Sequence, residues 1–176
     1  MVNATLNLII GPMFSGKTTE LLRVAKRLSS INLKVLLLNF SEDIRYSTTN
    51  MLTHDKEGLP CEFINNFNEL NYDNYDVICI NEGQFFTGLL KFCKEALQKN
   101  KTIYICGLDG DYKQEKFGEI IDLIPLCDSI NKLHAFCNIC KDGTKAHFTK
   151  RITNNKEQKL IGTNEYIPVC RYHLNK

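Results

Sequence analysis

The chain has 176 residues, 43% apolar and 24% charged, an ordinary globular composition that is long enough for one domain with a small appendage. Its 22 basic and 20 acidic side chains leave a net charge of +2, so no basic field argues for a nucleic-acid or anionic-membrane partner. No apolar run approaches the roughly 18 residues of a membrane span, and Met1–Thr5 lacks the basic start and cleavage site of a signal peptide, so a cytoplasmic protein is expected.

Leu6–Ile10 is a short apolar run ending at a glycine and predicts a buried strand. From Lys17 to Leu28, Leu21, Leu22, Ala25 and Leu28 recur at helical spacing with charges between them. Val35–Leu38 predicts the next strand. Residues 41–60 are polar, carry Gly58 and Pro60 and keep no period, so they predict a long loop of the kind that often binds ligands. Val77–Ile80 predicts a third strand, Phe86, Leu90, Cys93 and Leu97 mark one face of a helix, and Thr102–Cys106 predicts a fourth strand. Apolar strands alternating with helices predict an α/β fold with a parallel sheet covered on both faces. Near His134 the alternation gives way to cysteines, short polar loops and β-type pieces such as Ala146–Thr149. A boundary is expected there, dividing residues 1–133 from residues 134–176.

Gly11-Pro12-Met13-Phe14-Ser15-Gly16-Lys17-Thr18 fits the phosphate-loop pattern at every specified position, between a predicted strand and a predicted helix. Glycines let the backbone wrap phosphate oxygens so that N–H groups and the helix N-terminus face the negative charge. Lys17 is placed to reach the β- and γ-phosphates, and the Thr18 hydroxyl to ligate magnesium. The competing reading is a chance glycine-rich turn. An acidic residue at the end of a neighbouring strand completes such a site, and Glu82, following Val77–Ile80, is the candidate general base. Alone it reads equally well as a solvated turn residue.

Eight cysteines fall into two groups. Cys61, Cys79, Cys93, Cys106 and Cys127 sit singly among apolar residues and predict core packing. Cys137-x-x-Cys140 and Cys170-x-x-His173 give four donors suited to tetrahedral structural zinc, with 29 residues looped out between the pairs. The alternative is a thioredoxin-like Cys-x-x-Cys beside two unrelated residues. His54, His134 and His147 have no such partners and read as surface or satisfied histidines.

The stretch from Leu8 through Leu21 resembles the opening of the type II thymidine kinases, the cytosolic and poxvirus class. Further resemblances follow in order at Asp43-Ile44-Arg45-Tyr46, Thr53-His54-Asp55, Glu82-Gly83-Gln84-Phe85-Phe86, Leu108-Asp109-Gly110, Thr149-Lys150-Arg151 and Ile161-Gly162 with Tyr166 and Cys170. The resemblance implies a RecA-like P-loop sheet with flanking helices plus a small C-terminal zinc-binding lasso domain. It implies transfer of the ATP γ-phosphoryl group to the 5′-hydroxyl of thymidine or deoxyuridine. Glu82, Lys17 and Arg45 are then catalytic, and ATP and magnesium engage Gly11–Thr18, Asp43, Ile44, Arg45, Asn81, Glu82, Gly83 and Gln84. The nucleoside is implied at Met13, Phe85, Leu108, Tyr112, Phe117, Thr149, Tyr166 and the lasso residues Gln158, Lys159, Leu160, Ile161 and Gly162. Several of these aromatics read equally well as core. Thr18 and Asn81 are implied at the magnesium, and zinc at the four C-terminal donors. Feedback inhibition by thymidine triphosphate and a homotetramer are implied as well.

Three features depart from the family pattern. Asn81 replaces an aspartate, the lasso is one residue shorter and lacks its second glycine, and Tyr112 and Gln114 stand where phenylalanine and arginine are usual. A catalytically impaired nucleotide-binding homologue is the alternative that Asn81 raises. A P-loop ATPase working on nucleic acid is disfavoured by the charge balance and the short chain.

Overall fold

Six parallel strands form the central sheet of this computed structural model, which describes residues 3–43, 49–53, 58–162 and 164–176. In chain order the elements begin with β1 (Thr5–Ile10), α1 (Lys17–Ser29) and β2 (Val35–Phe40). Three short strands follow, β3 (Asn50–Leu52), β4 (Gly58–Pro60) and β5 (Glu62–Ile64). Next come β6 (Val77–Ile80), a 3-10 turn at Gly83–Phe85, α2 (Leu89–Gln98) and β7 (Thr102–Gly107). A second 3-10 segment, Ile120–Leu126, leads to β8 (Ser129–Lys132). The chain closes with β9 (Ala135–Phe136), β10 (Lys145–Ala146), β11 (Phe148–Arg151), β12 (Tyr166–Val169) and α3 (Arg171–Leu174).

The sheet order is β5-β2-β6-β7-β1-β8. Alternation within each strand sends side chains to opposite layers. Leu6, Leu8 and Ile10 of β1 join Leu36, Leu38, Ile78, Ile80, Ile103 and Ile105 in one layer, closed by Leu89, Phe92, Cys93 and Ala96 of α2. Ile9, Leu37, Val77, Cys79 and Cys106 form the other layer, closed by Leu21, Leu22 and Ala25 of α1. Each fully buried leucine or isoleucine contributes about 1.5–3 kcal/mol, so replacing the fully enclosed Leu21 by Ala costs about 2–5 kcal/mol.

Three expectations need correction. Residues 41–60 contain an antiparallel pair, β3 with β4, that the polar sequence hid. The fully buried face of α2 is Leu89, Phe92, Cys93 and Ala96; Leu90 and Leu97 are partly buried at its margin against the same core, and Phe86 packs in the core before the helix begins. The helix starts later because the N–H groups of Gly88 and Leu90 donate to the Glu119 carboxylate at 2.8 and 2.9 Å, a cap supplied from far along the chain. Of the five single cysteines, Cys79, Cys93 and Cys106 are buried, while Cys61 and Cys127 pack against the core from partly exposed positions.

Beyond the sheet, β9 pairs with β10 and β11 with β12, both antiparallel. Ala135, Cys137, Ala146 and Val169 form the buried cluster of this segment. No helix among the described residues is long and apolar enough to cross a membrane.

Candidate active site

In a parallel sheet the loops at the C-terminal ends of the strands share one edge, and ligands bind there. β1, β6 and β7 deliver to that edge the phosphate loop, Asn81-Glu82 and Leu108, and a cavity of about 380 Å³ lies among them.

The phosphate loop turns sharply at Gly11, whose φ is +146°; a Cβ there would lie 2.5 Å from the Leu133 carbonyl oxygen. Phe14 adopts φ 61°, and Gly16 starts α1 at φ 81°. The Ser15 hydroxyl and the Lys17 ammonium both donate to the Pro12 carbonyl, at 2.8 and 2.7 Å. The Met13 amide donates to Thr149 Oγ1 at 3.0 Å, tying the loop to β11 and committing that N–H away from phosphate. This cradle, opening a helix and closed to any Cβ at Gly11, has the donor chemistry for a triphosphate.

Glu82 lies directly beyond β6 in the left-handed region, at φ 54° and ψ 43°. Its carboxylate accepts from Gln84 Nε2 at 2.6 Å, and Gln84 Oε1 accepts from the Leu108 amide at 3.0 Å. Gln84 therefore orients the carboxylate from behind and lashes it to the end of β7. Gly83 is buried in the same turn. Asn81 is 4% exposed, and its Oδ1 accepts from the Thr18 hydroxyl at 3.2 Å and the Cys106 thiol at 2.9 Å. Burial, reinforced by the nearby Glu82 charge and opposed by Lys17, pushes the Cys106 thiol up to about 12. Asp43 is buried at the end of β2. Ile44 and Arg45, with Tyr46, His54 and Asp55, lie outside the described residues.

The opposite wall of the cavity is apolar and aromatic. Met13, Phe85, Leu108, Tyr112, Phe117, Thr149, Leu160, Ile161, Gly162 and Tyr166 all line it together with Gln158, Lys17, Thr18 and Glu82. Phe85 meets Phe117 edge-on at 5.5 Å. Sequence reasoning left these aromatics divided between core and pocket; Phe117 and Tyr166 are both, 8% exposed yet facing the cavity. Lys159 is the exception among the proposed nucleoside contacts. Its ammonium reaches the Glu42 carboxylate at 2.7 Å and stands 4.5 Å from the Phe40 ring centre, and it does not line the cavity.

Three residues that sequence reasoning gave no role support the site, two at this wall and one behind the phosphate loop. Arg151, buried beneath the lasso, stacks 3.9 Å from the Tyr112 ring centre and donates to Tyr166 Oη and to the carbonyls of Asn155 (2.9 Å) and Gln158 (3.4 Å). Asp111 accepts from the amides of Lys113 and Glu115 and from Gln158 Nε2 at 2.8 Å. Asn39 accepts from Asn81 Nδ2 at 2.9 Å. A polar residue closing the apolar run Val35–Leu38 was the available signal for Asn39.

Cys137, Cys140, Cys170 and His173 bring their ligand atoms within 4.8 Å of one another, with His173 Nδ1 3.6, 3.3 and 3.4 Å from the three sulfurs. Three thiols and an imidazole converging on one point fit tetrahedral zinc, with no position left for water. The rings of His134 and His147 stand 5.8 Å apart, away from that cluster's four donors.

A family model described as thymidine kinase matches residues 4–174. The thymidine kinase of Oryza sativa subsp. japonica is 42% identical, over 96% of this chain and 65% of its own length, so the chain spans just under two thirds of that relative. The thymidine kinase of Yaba monkey tumor virus is 40% identical over 94% of this chain and 92% of its own. The cytosolic thymidine kinase of Gallus gallus is 36% identical over 94% of this chain and 75% of its own. With likeness of this depth running from the strand before the phosphate loop to the last pair of sulfur and nitrogen donors, the chain belongs to the thymidine kinase family.

Proposed function

We propose that the chain is a thymidine kinase, transferring the γ-phosphoryl group of ATP to the 5′-hydroxyl of thymidine or deoxyuridine. The observation that carries this reading is the position of Glu82 on the wall of a cavity with the phosphate loop on one side and aromatic residues with the lasso on the other. The nucleoside 5′-oxygen bonds to the γ-phosphorus, the bond from that phosphorus to the β,γ-bridging oxygen breaks, and ADP leaves. The hydroxyl proton passes to the Glu82 carboxylate. Lys17 and Arg45 stabilise charge on the transferred group, and Gln84 keeps Glu82 aimed. Thr18 would hold magnesium, which would supply charge neutralisation at the phosphate oxygens. The lasso holds the base through its backbone, against Phe85, Tyr112, Phe117 and Tyr166.

We assign nucleotide binding to residues 1–133 and zinc binding and the lasso to residues 134–176, with zinc on Cys137, Cys140, Cys170 and His173. Thymidine triphosphate is the expected feedback inhibitor, occupying the nucleoside pocket with its phosphates along the loop. A homotetramer in the cytoplasm completes the proposal. Each of the three relatives above is named a thymidine kinase, and no observation favours the catalytically impaired alternative.

The test is γ-phosphate transfer across a panel of nucleosides, with Glu82→Gln alongside. The amide is nearly isosteric but cannot take the proton, so turnover should fall about 10²–10⁴-fold with ATP binding little changed. No transfer to any nucleoside by the wild-type protein would sink the proposal, and unchanged turnover in the variant would sink the role of Glu82.

A further inference from the structure

Behind the phosphate loop runs a chain of buried hydrogen bonds whose direction the structure fixes. The Asp43 main-chain carbonyl can only accept, and Asn39 Nδ2 donates to it at 3.4 Å. The Asn39 oxygen therefore faces the other way, where Asn81 Nδ2 donates to it at 2.9 Å. That turns the Asn81 oxygen toward Thr18, whose hydroxyl donates to it at 3.2 Å. Both asparagines are 4% exposed, so water does not compete for these bonds. The Cys106 thiol, at 2.9 Å, is a second donor to Asn81 Oδ1. With two donors on its two lone pairs, this oxygen is occupied by protein and has no lone pair left for a cation.

We propose that Asn39 is a positioning residue for the phosphate-loop threonine: acting through the Asn81 amide, it keeps the Thr18 proton turned into the protein and the hydroxyl lone pairs turned toward the cavity. A threonine hydroxyl ligates a cation through oxygen, and a free rotor spends part of its time with the proton in the way. An acceptor of fixed orientation behind it removes that conformer. The amide pair does this without charge at a position where the family pattern has an aspartate. Bonds aligned in one sense polarise one another, so the relay acts as a unit. It also joins the helix that opens the phosphate loop to the end of β2. The inference rests on the phosphoryl-transfer reading for its cation, magnesium bound with nucleotide.

The experiment is a magnesium titration on Asn39→Leu, which keeps the volume and removes both hydrogen bonds. Two quantities are read: the magnesium needed for half-maximal thymidine phosphorylation, and the magnesium needed for binding of a non-hydrolysable ATP analogue by calorimetry. Both should rise about tenfold, the scale of one lost buried hydrogen bond, while KM for thymidine stays put because Asn39 does not line the cavity. Asn39→Ala serves if the leucine variant fails to fold. Leu37→Ala, two positions before Asn39 in β2 and so on the same side of the sheet, is the control for loss of packing alone. The double variant with Asn81→Leu should cost no more in magnesium dependence than Asn81→Leu by itself, since the two residues form one path. A lower Tm like that of Leu37→Ala with both titrations unchanged, or full additivity in the double variant, would overturn the inference. Wild-type protein that binds the analogue with magnesium but transfers no phosphate would overturn the kinase proposal and leave the relay to be judged on binding.

Discussion

The sheet between α1 and α2 encloses Leu6, Leu38, Ile78 and Ile103 with no exposed surface on one face and Leu21, Val77 and Cys79 on the other, whereas the buried cluster that starts at Ala135 is two alanines, a valine and Cys137, with Phe148, Ile167 and Leu174 only partly buried against it. Ordering a residue costs about 1–2 kcal/mol in backbone entropy. Burial of leucines and isoleucines at about 1.5–3 kcal/mol each offsets that cost in the sheet, but the C-terminal segment has only two alanines, a valine and the partly buried Phe148, Ile167 and Leu174 to set against it. Four ligand atoms within 4.8 Å of one another are what that segment has instead. On the proposed reading the phosphate side thus rests on packing and the nucleoside side on cross-linking, by Arg151 at one end and by zinc on the four donors at the other.

Removing the cross-link should give the largest effect. Binding free energy for structural zinc, roughly 10–16 kcal/mol, is also folding free energy, so Cys137→Ser or chelation should melt the segment and lower thymidine affinity with it, while the sheet keeps its fold. Metal analysis with calorimetry on thymidine checks this, and tight thymidine binding by metal-free protein would refute it. Alkylation sharpens the contrast. A chelator should expose Cys137, Cys140 and Cys170 to a thiol reagent, while Cys93 and Cys106, pushed up to about 12 by burial, stay unmodified at neutral pH until the sheet unfolds.

A smaller effect is expected from Arg151→Met, which keeps much of the aliphatic stem but removes the guanidinium from between the rings of Tyr112 and Tyr166 and from the carbonyls of Asn155 and Gln158. Hydrogen bonds to charged groups are worth about 1.5–3 kcal/mol, so KM for thymidine should rise roughly 10- to 100-fold with bound zinc retained. Steady-state kinetics would read it; an unchanged KM would mean that the lasso holds its shape without Arg151.

The smallest effect belongs to Lys159 and Glu42, which bridge the lasso to the end of β2 at 2.7 Å with side chains 40% and 59% exposed. Exposed pairs contribute about 0–1 kcal/mol, so Glu42→Lys should raise KM no more than about fivefold. Adding Lys159→Glu should restore it at low salt. Failure of the reversed pair to recover would show that the ammonium over Phe40 and Phe85 matters more than its ion pair.

Much of the sheet was legible because β1, β2, β6 and β7 are continuous apolar runs, as strands covered on both faces must be. The edge strands were not: β8, Ser129–Lys132, is exposed at every position and has only Ile130 as an apolar residue, so it carries no burial signal and is ordered by the β1 backbone beside it. The phosphate loop, Glu82 and the four C-terminal donors could be read because their chemistry demands particular residues at fixed spacing. The resemblance places Lys159 at the nucleoside through the lasso backbone; its side chain turns to Glu42, a direction that sequence cannot give because neighbouring residues on an extended loop can point apart. Asn39 and Arg151 act on other protein groups through contacts 42 and 15 positions apart in the chain; the polar break after Val35–Leu38 marks Asn39 as unusual, but no local pattern names either residue's partner.

The backbone at Glu82 carries a consequence for selection. Its left-handed conformation costs an ordinary side chain roughly 1–2 kcal/mol and a glycine almost nothing. A library screened only for heat resistance should therefore enrich glycine or asparagine at position 82, trading the carboxylate for a relaxed turn. The same library screened for growth on thymidine should keep glutamate and gain its stability elsewhere.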